Sequence, residues 1–278
     1  MIRQFLLAFA FIIVVFCLFF IFTNKKMDPF ANRSDKPRYI IMEDNKLVGF
    51  NLVDPEEAPA AIKESVKRGY NIMMNTPFYA SEYAKNALSC GNCHLCEGNT
   101  LGARNQGISL LGVNKIYPQF SKRSQTTIDL KERIYNCFER SMNGVRPPEG
   151  SAVTKDLLAY IHWISSEVQG IDHPPWLGLK LLKSKHTPDK EQGAIVYAKY
   201  CVACHQADGE GGGEVPSLGK TIPPLWGEHS FNDGAGMSTI PMLSAFVYWN
   251  MPYENSILTE EQALDVAAFI AGQPRPQF

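Results

Sequence analysis

The apolar positions of this chain fall into one continuous run and several stripes at helical spacing. The run extends from Phe5 to Phe22 without a charge, after Arg3 and before Lys25-Lys26. Its length lies at the border between a signal-peptide core and a membrane-spanning helix. No A-x-A-like cleavage site follows it, which favours an uncleaved anchor, so residues 1–26 are expected to be a signal anchor or else a removed signal peptide. Cys17, inside the run, reads as an apolar filler. Residues 23–60 are rich in charge, Pro and Asn and read as a spacer with a strand-like stretch at Tyr39-Ile40-Ile41.

The stripes predict helices, and they recur in one order. Thr187-Pro188-Asp189 gives an N-cap, a proline at the first helical position and an acid at the positive helix end, before a helix over Lys190 to Tyr200. Thr259-Glu260-Glu261-Gln262 is a capping box ahead of the stripe Leu264, Ala267, Ala268 and Ile270-Ala271. Upstream, a helix over Pro59 to Met74 is followed by an insertion from Asn75 to Ala87. A second helix starts at Thr154 and carries Leu157-Leu158, Tyr160-Ile161 and Trp163-Ile164. A further stripe, Leu130, Ile134, Cys137 and Phe138, predicts a helix between them. Helix, Gly/Pro-rich loop and closing helix thus occur twice, an internal repeat. Between the repeats, His173-Pro174-Pro175-Trp176 marks an interdomain linker.

A net charge of −1 gives no electrostatic footprint for nucleic acid. Cysteine usage adds more. The chain has seven cysteines, and four lie in Cys90-Gly91-Asn92-Cys93-His94 and Cys201-Val202-Ala203-Cys204-His205. This pentapeptide is the attachment signature of c-type haem: two thiols reach the porphyrin edge and the next histidine binds iron. A thioredoxin-like pair needs a βαβ context that is not visible. A zinc site is poorly served by a histidine directly after each second cysteine. The expected fold is therefore mainly α, with two tandem cytochrome c-like domains over 27–170 and 188–278, joined by a linker over 171–187. Each holds one covalently bound haem c that completes a small core. Haem attachment takes place outside the cytoplasm, so the chain is expected in the periplasm, soluble after signal removal or tethered to the inner membrane through residues 5–22.

His94 and His205 are the expected first axial ligands. For the second site, Met251 lies in Asn250-Met251-Pro252 before the closing helix, with Met237 and Met242 as competitors in the same loop. For the first site, Cys137 and Met142 compete; a small buried core residue is the ordinary reading of Cys137. Cys96, just past His94, has no role in this pattern and reads as a buried thiol. The Gly209 to Gly213 loop reads as a flexible turn or as the surround of the second haem's exposed edge.

The run from Leu130 to Gly144, LKERIYNCFERSMNG, with Gly112-Val113 and Tyr117-Pro118 before it, resembles the dihaem thiosulfate dehydrogenases. Pro223-Pro224-Leu225-Trp226-Gly227, Phe231-Asn232-Asp233-Gly234-Ala235-Gly236-Met237 and Asn250-Met251-Pro252 extend that resemblance over roughly residues 60 to 275. It implies His/Cys ligation of the first haem, with Cys137 as ligand, and a substrate pocket built by Arg123, Arg133 and Ser141, with Arg140 nearby. It also implies the reaction: two thiosulfate ions joined to tetrathionate, with the reverse reduction open to the same family. Electrons would pass from haem 1 to haem 2 and on to an acceptor cytochrome.

The residue types suit that chemistry. Thiosulfate is a dianion, and bringing two together costs several kcal/mol of repulsion at low effective dielectric. Two guanidiniums offset it and orient the oxygens by forked hydrogen bonds. The rival expectation is a non-catalytic dihaem electron-transfer cytochrome with Met142 as ligand. A dihaem peroxidase ranks below both, since it needs an open coordination position and usually a longer chain.

Overall fold

The structure, a computed structural model, describes residues 39–43, 46–50, 52–102, 104–215 and 220–278; the apolar run 5–22, residues 1–26 and Cys17 lie outside the described residues. Among the described residues no helix is long and apolar enough to cross a membrane. The chain is mainly helical, as its stripes predict. Strand β1 (Tyr39–Glu43) contains the expected strand-like stretch and pairs antiparallel with β2 (Lys46–Phe50) in the register Tyr39↔Phe50.

Helix α1 spans Lys63–Met74 and crosses α4, Ala152–Ile164. The short α2, Thr76–Tyr79, forms part of the expected insertion. Helix α5, Lys190–Tyr200, likewise crosses α8, Glu260–Ala271, and leads into α6, Val202–His205. The two crossings share one construction. A Cβ on Gly69 would stand 2.1 Å from Asp156 O and 2.7 Å from the Tyr160 Cβ. A Cβ on Gly193 would stand 2.0 Å from Asp265 O and 2.9 Å from the Phe269 Cβ. In both places a glycine lets the opening helix rest on the backbone of the closing helix, beside an aromatic residue.

Two helix starts and one cap differ from expectation. Helix α1 begins at Lys63 rather than Pro59. Helix α4 begins at Ala152, because Ser151 Oγ accepts from Thr154 N at 3.3 Å and is the cap. The cap of α5 is Asp189, whose carboxylate accepts from Glu191 N at 2.8 Å and Gln192 N at 3.1 Å, so Thr187 stays outside. A carboxylate on both first-turn amides satisfies two otherwise unpaired donors. The capping box of α8 forms as read, with Gln262 N on Thr259 Oγ1 at 3.2 Å and Thr259 N on Gln262 Oε1 at 3.0 Å.

Helix α7, Ile240–Asn250, was not expected; its segment was read as loop. Leu243 to Val247 are all buried, so the helix is apolar all round and shows no stripe. Helix α3, Leu130–Asn136, is capped by Asp129 and runs into a π-helical turn, Cys137–Ser141. Before it, β3 (Gln119–Ser121) and β4 (Thr126–Ile128) form a hairpin, and β5 (Glu214–Val215) pairs with β6 (Lys220–Thr221).

Two buried clusters result. One gathers Val66, Ile72, Leu111, Phe138, Leu157, Tyr160 and Ile164, together with Phe231 and Ala235 from the second half of the chain. The other gathers Val196, Tyr197, Trp226, Leu243, Val266 and Ile270. The segment read as a linker lies against both: Trp176 Nε1 donates to Leu111 O at 3.0 Å, and Ser184 N to Glu260 Oε2 at 2.9 Å.

Candidate functional site

Two cavities lie beside the buried clusters, and each receives the histidine of one CxxCH turn. The first is lined by Cys90, Cys93 and His94, and by Arg123, Arg133, Cys137, Ser141 and Met142. The second is lined by Cys201, Cys204, His205 and Met251. Leu88, Cys93 and Met237 line both and form a shared wall. The fold thus places His94, Cys137, Arg123, Arg133 and Ser141 at the first cavity and His205 and Met251 at the second.

The first CxxCH turn is held by the insertion. Cys90 N donates to Thr76 Oγ1 at 3.0 Å, and that buried hydroxyl donates to Ile72 O at 2.8 Å, so the short α2 fixes the cysteine on α1. His94 Nδ1 donates to Ile108 O at 2.8 Å and His205 Nδ1 to Pro223 O at 3.0 Å. Each bond selects the tautomer that leaves Nε2 as the ligating nitrogen. Burial pushes the His94 imidazole down to about 4, against the hydrogen bond to Ile108, and lowers His205 as well. Neutral imidazoles are the form that binds iron. Burial raises Cys90 to about 11 and Cys93 and Cys201 to about 12.

These residues fit a haem. The remaining walls are largely apolar, among them Met73, Leu110, Ile134, Phe138 and Ile161 in the first cavity and Leu225, Phe246, Val247 and Ile270 in the second. A flat, largely apolar group held by two cysteines and a histidine would suit that lining.

Sulfur and cation meet in the first cavity. The π-helical turn starts at Cys137, and such turns often mark functional sites because they re-aim side chains. Arg133 Nη1 donates to Cys137 Sγ at 2.7 Å. Cys137 is the first cause raising the Arg133 guanidinium above its ordinary value. Arg123 stands at the turn of the β3–β4 hairpin, and its Nη1 donates to Gly234 O at 3.0 Å. Burial, then Arg133 and Arg140, lower Arg123, against an opposing pull from Cys137. Arg140 does not line the cavity; it shares Gly234 O at 3.3 Å and lies over the Phe278 ring at 4.0 Å. Ser141 lines the cavity and is fixed by Asn86 Nδ2, which donates to Ser141 O at 2.8 Å.

Three expectations about sulfur residues change. Met242 lies on α7 and lines the first cavity, so it does not compete for the second. Met237 does reach the second cavity, on the shared wall. Cys96 is exposed rather than buried, because its left-handed backbone, φ 52°, turns it outward. Tyr117, Gln119 and the stretch Leu177 to Leu179 also line the first cavity, with no role assigned to them from sequence. The hairpin turn that carries Arg123 could have drawn attention to Tyr117 and Gln119, since they enter the same turn.

The Cytochrome c family model matches residues 191–273, around the second CxxCH motif. With that domain comes covalently bound haem c. The chain is 38% identical over 219 residues to a thiosulfate dehydrogenase of Thiomonas intermedia, covering 76% of this chain and 66% of the relative. It is 36% identical over 220 residues to a thiosulfate dehydrogenase of Allochromatium vinosum, covering 78% of this chain and 81% of the relative. Among solved structures, thiosulfate dehydrogenase (TsdBA) from Marichromatium purpuratum superposes with a TM-score of 0.75 at 30% identity, covering 82% of this chain and 50% of that one. The chain thus spans about two thirds of the first relative's length and half of the solved chain.

Proposed function

The chain belongs to the thiosulfate dehydrogenase family, and from that premise we propose that it oxidises two thiosulfate ions to tetrathionate, and reduces tetrathionate in reverse, in its first cavity. In the forward direction each thiosulfate gives up one electron and one sulfur–sulfur bond forms between them. Cys90, Cys93 and His94 would hold one haem, with Cys137 as its second axial ligand; Cys201, Cys204, His205 and Met251 would hold the other. The pair supplies one-electron acceptance and passage of electrons to an acceptor cytochrome. Residues 27–170 and 188–278 would be tandem cytochrome c-like domains, joined by 171–187, working in the periplasm.

The observation that carries the reading is the meeting of Arg123, Arg133, Ser141 and Cys137 in one cavity with a CxxCH turn. Arg123 and Arg133 offset the repulsion between two dianions, and their forks orient the sulfonate oxygens. Ser141 adds a neutral donor. Arg123 holds its position through Gly234 O, so the second half of the chain sets the geometry of the anion site.

Steady-state turnover with thiosulfate and a one-electron acceptor, run in both directions, tests the reading. Activity with neither thiosulfate nor tetrathionate would overturn it. One observation favours a second reading: Met142, 4% exposed, lines the same cavity as Cys137. A His/Met pair there would make a non-catalytic electron carrier. The ferric near-infrared spectrum separates the two, since thiolate and thioether ligation give different charge-transfer bands.

A further inference from the structure

The segment Arg104 to Ile108 of the first half is fastened at three places to residues around Met251. Arg104 Nη1 donates to Ser256 O at 2.5 Å and Ser256 Oγ at 3.2 Å, and its guanidinium lies over the Tyr248 and Trp249 rings at 5.1 and 5.4 Å. Asn105 N donates to Trp249 O at 2.8 Å. Gly107 N donates to Asn250 Oδ1 at 2.7 Å. Asn250 is fully buried, and its Nδ2 donates to Phe246 O at 3.0 Å, so both ends of the amide are fixed.

The same segment ends on the first haem-binding turn. Ile108 N donates to Cys93 O at 3.0 Å, and Ile108 O accepts from His94 Nδ1 at 2.8 Å. Gly107 takes φ +68°, and a Cβ there would meet Leu95 N at 2.5 Å and Cys93 O at 2.7 Å. The strand of backbone is thus pressed directly onto the CxxCH turn on one side. On the other it grips the residue next to Met251.

We infer that Arg104 to Ile108, with Asn250, is a strut that positions His94 and Met251 together, so that the two centres are tuned by one structural element. This rests on the two-haem reading above. Neither Arg104 nor Asn250 lines either cavity, so both are positioning residues. The carbonyl that accepts the imidazole N–H sets the basicity and orientation of the histidine ligand. A thioether ligand held in place keeps a haem potential high. Loosening the strut therefore acts oppositely at the two ends: the first potential rises as His94 loses a well-aligned acceptor, and the second falls as Met251 is held less firmly.

The test is a spectroscopic redox titration of the full-length holoprotein carrying Arg104→Ala or Asn250→Ala, after a haem count by mass spectrometry. The expected result is a raised first potential and a lowered second potential in both variants, with the larger shifts in Asn250→Ala. An unmoved first potential in both variants overturns the strut and leaves Asn250 acting on Met251 alone. Should Asn250→Ala fail to hold its haems, Arg104→Ala decides, because that side chain is exposed and its loss frees the outer end of the strut from Ser256 without opening a buried hole. A single haem in the unsubstituted protein would instead sink the two-haem reading, an outcome distinct from failure of the strut.

Discussion

Arg133 Nη1 stands 2.7 Å from Cys137 Sγ, one helical turn along the chain, where the α-helix gives way to a π-helical turn. The spacing of four residues puts both side chains on one face. The guanidinium therefore both holds the sulfur and lines the first cavity, and substitutions can separate the two roles. Arg133→Lys keeps the charge and loses the fork. Turnover with thiosulfate is expected to fall about 10–100-fold in Arg133→Lys, the usual cost of removing a partner of a metal ligand. The ferric near-infrared band should shift in the same variant. An unchanged band with lost turnover would confine Arg133 to substrate binding.

Arg123 reaches the cavity from the β3–β4 turn and is anchored on Gly234 O. Its hydrogen bond goes to Gly234 O and not to Cys137, so its loss should weaken anion binding with the haem spectrum little changed. A hydrogen bond to a charged partner contributes about 1.5–3 kcal/mol. At 1.4 kcal/mol per tenfold, Arg123→Gln is expected to lower kcat/KM for thiosulfate roughly 10–150-fold. Steady-state kinetics beside an unshifted absorption spectrum checks both halves. A shifted spectrum would show that Arg123 acts on the haem instead.

How much of this was legible in the sequence depends on the range of the contacts. The CxxCH turns, the α8 capping box and the Leu157–Ile164 stripe are local, and each forms where it was read. The bounds of α5 were read correctly but its cap was not, because Thr187 and Asp189 are both good caps, and only the bonds to Glu191 N and Gln192 N choose between them. Helix α7 was missed because it is apolar on every side and carries a proline in its first turn. Placing Met242 in the first cavity, and Gly234 against Arg123, depends on the second half folding back over the first. No periodicity encodes that.

Arg146 ties the neighbourhood of Cys137 together at the surface. Its Nη1 and Nη2 donate to Glu132 at 2.7 and 2.6 Å, its Nε to Glu139 at 3.1 Å, and its guanidinium lies over the Tyr135 ring at 5.0 Å. Glu132, first, and then Glu139 raise the Arg146 guanidinium far above its ordinary value. A raised cation contributes stability at every pH below its unfolded value, so this network persists across the neutral range. It is half exposed and therefore screened. Arg146→Ala is expected to cost about 1 kcal/mol or less in low salt, and the difference should shrink in about 1 M salt. Thermal melts at two ionic strengths test this; a salt-independent loss would point to packing on Tyr135 instead.

The paired crossings at Gly69 and Gly193 give the sharpest test of the proposed tandem-domain reading. An alanine methyl at either position would sit within 2.1 Å of a backbone oxygen, Asp156 O or Asp265 O. Backbone cannot yield as a flexible side chain can, so the helices must separate. Overpacking of this kind costs about 1–3 kcal/mol, occasionally more. For a chain of this size that corresponds to a fall of about 2–4 °C in Tm per kcal/mol. The direction at each cavity differs. Gly69→Ala spreads α1 from α4 and should disturb the haem spectrum of the first centre, where Met73, Leu157 and Ile161 line the cavity. Gly193→Ala spreads α5 from α8 and should disturb the second, where Val266 and Ile270 do so. Low-temperature absorption or paramagnetic resonance spectra of the two variants, read centre by centre, decide the matter. If either substitution perturbs both centres equally, the two crossings are not the cores of separate units.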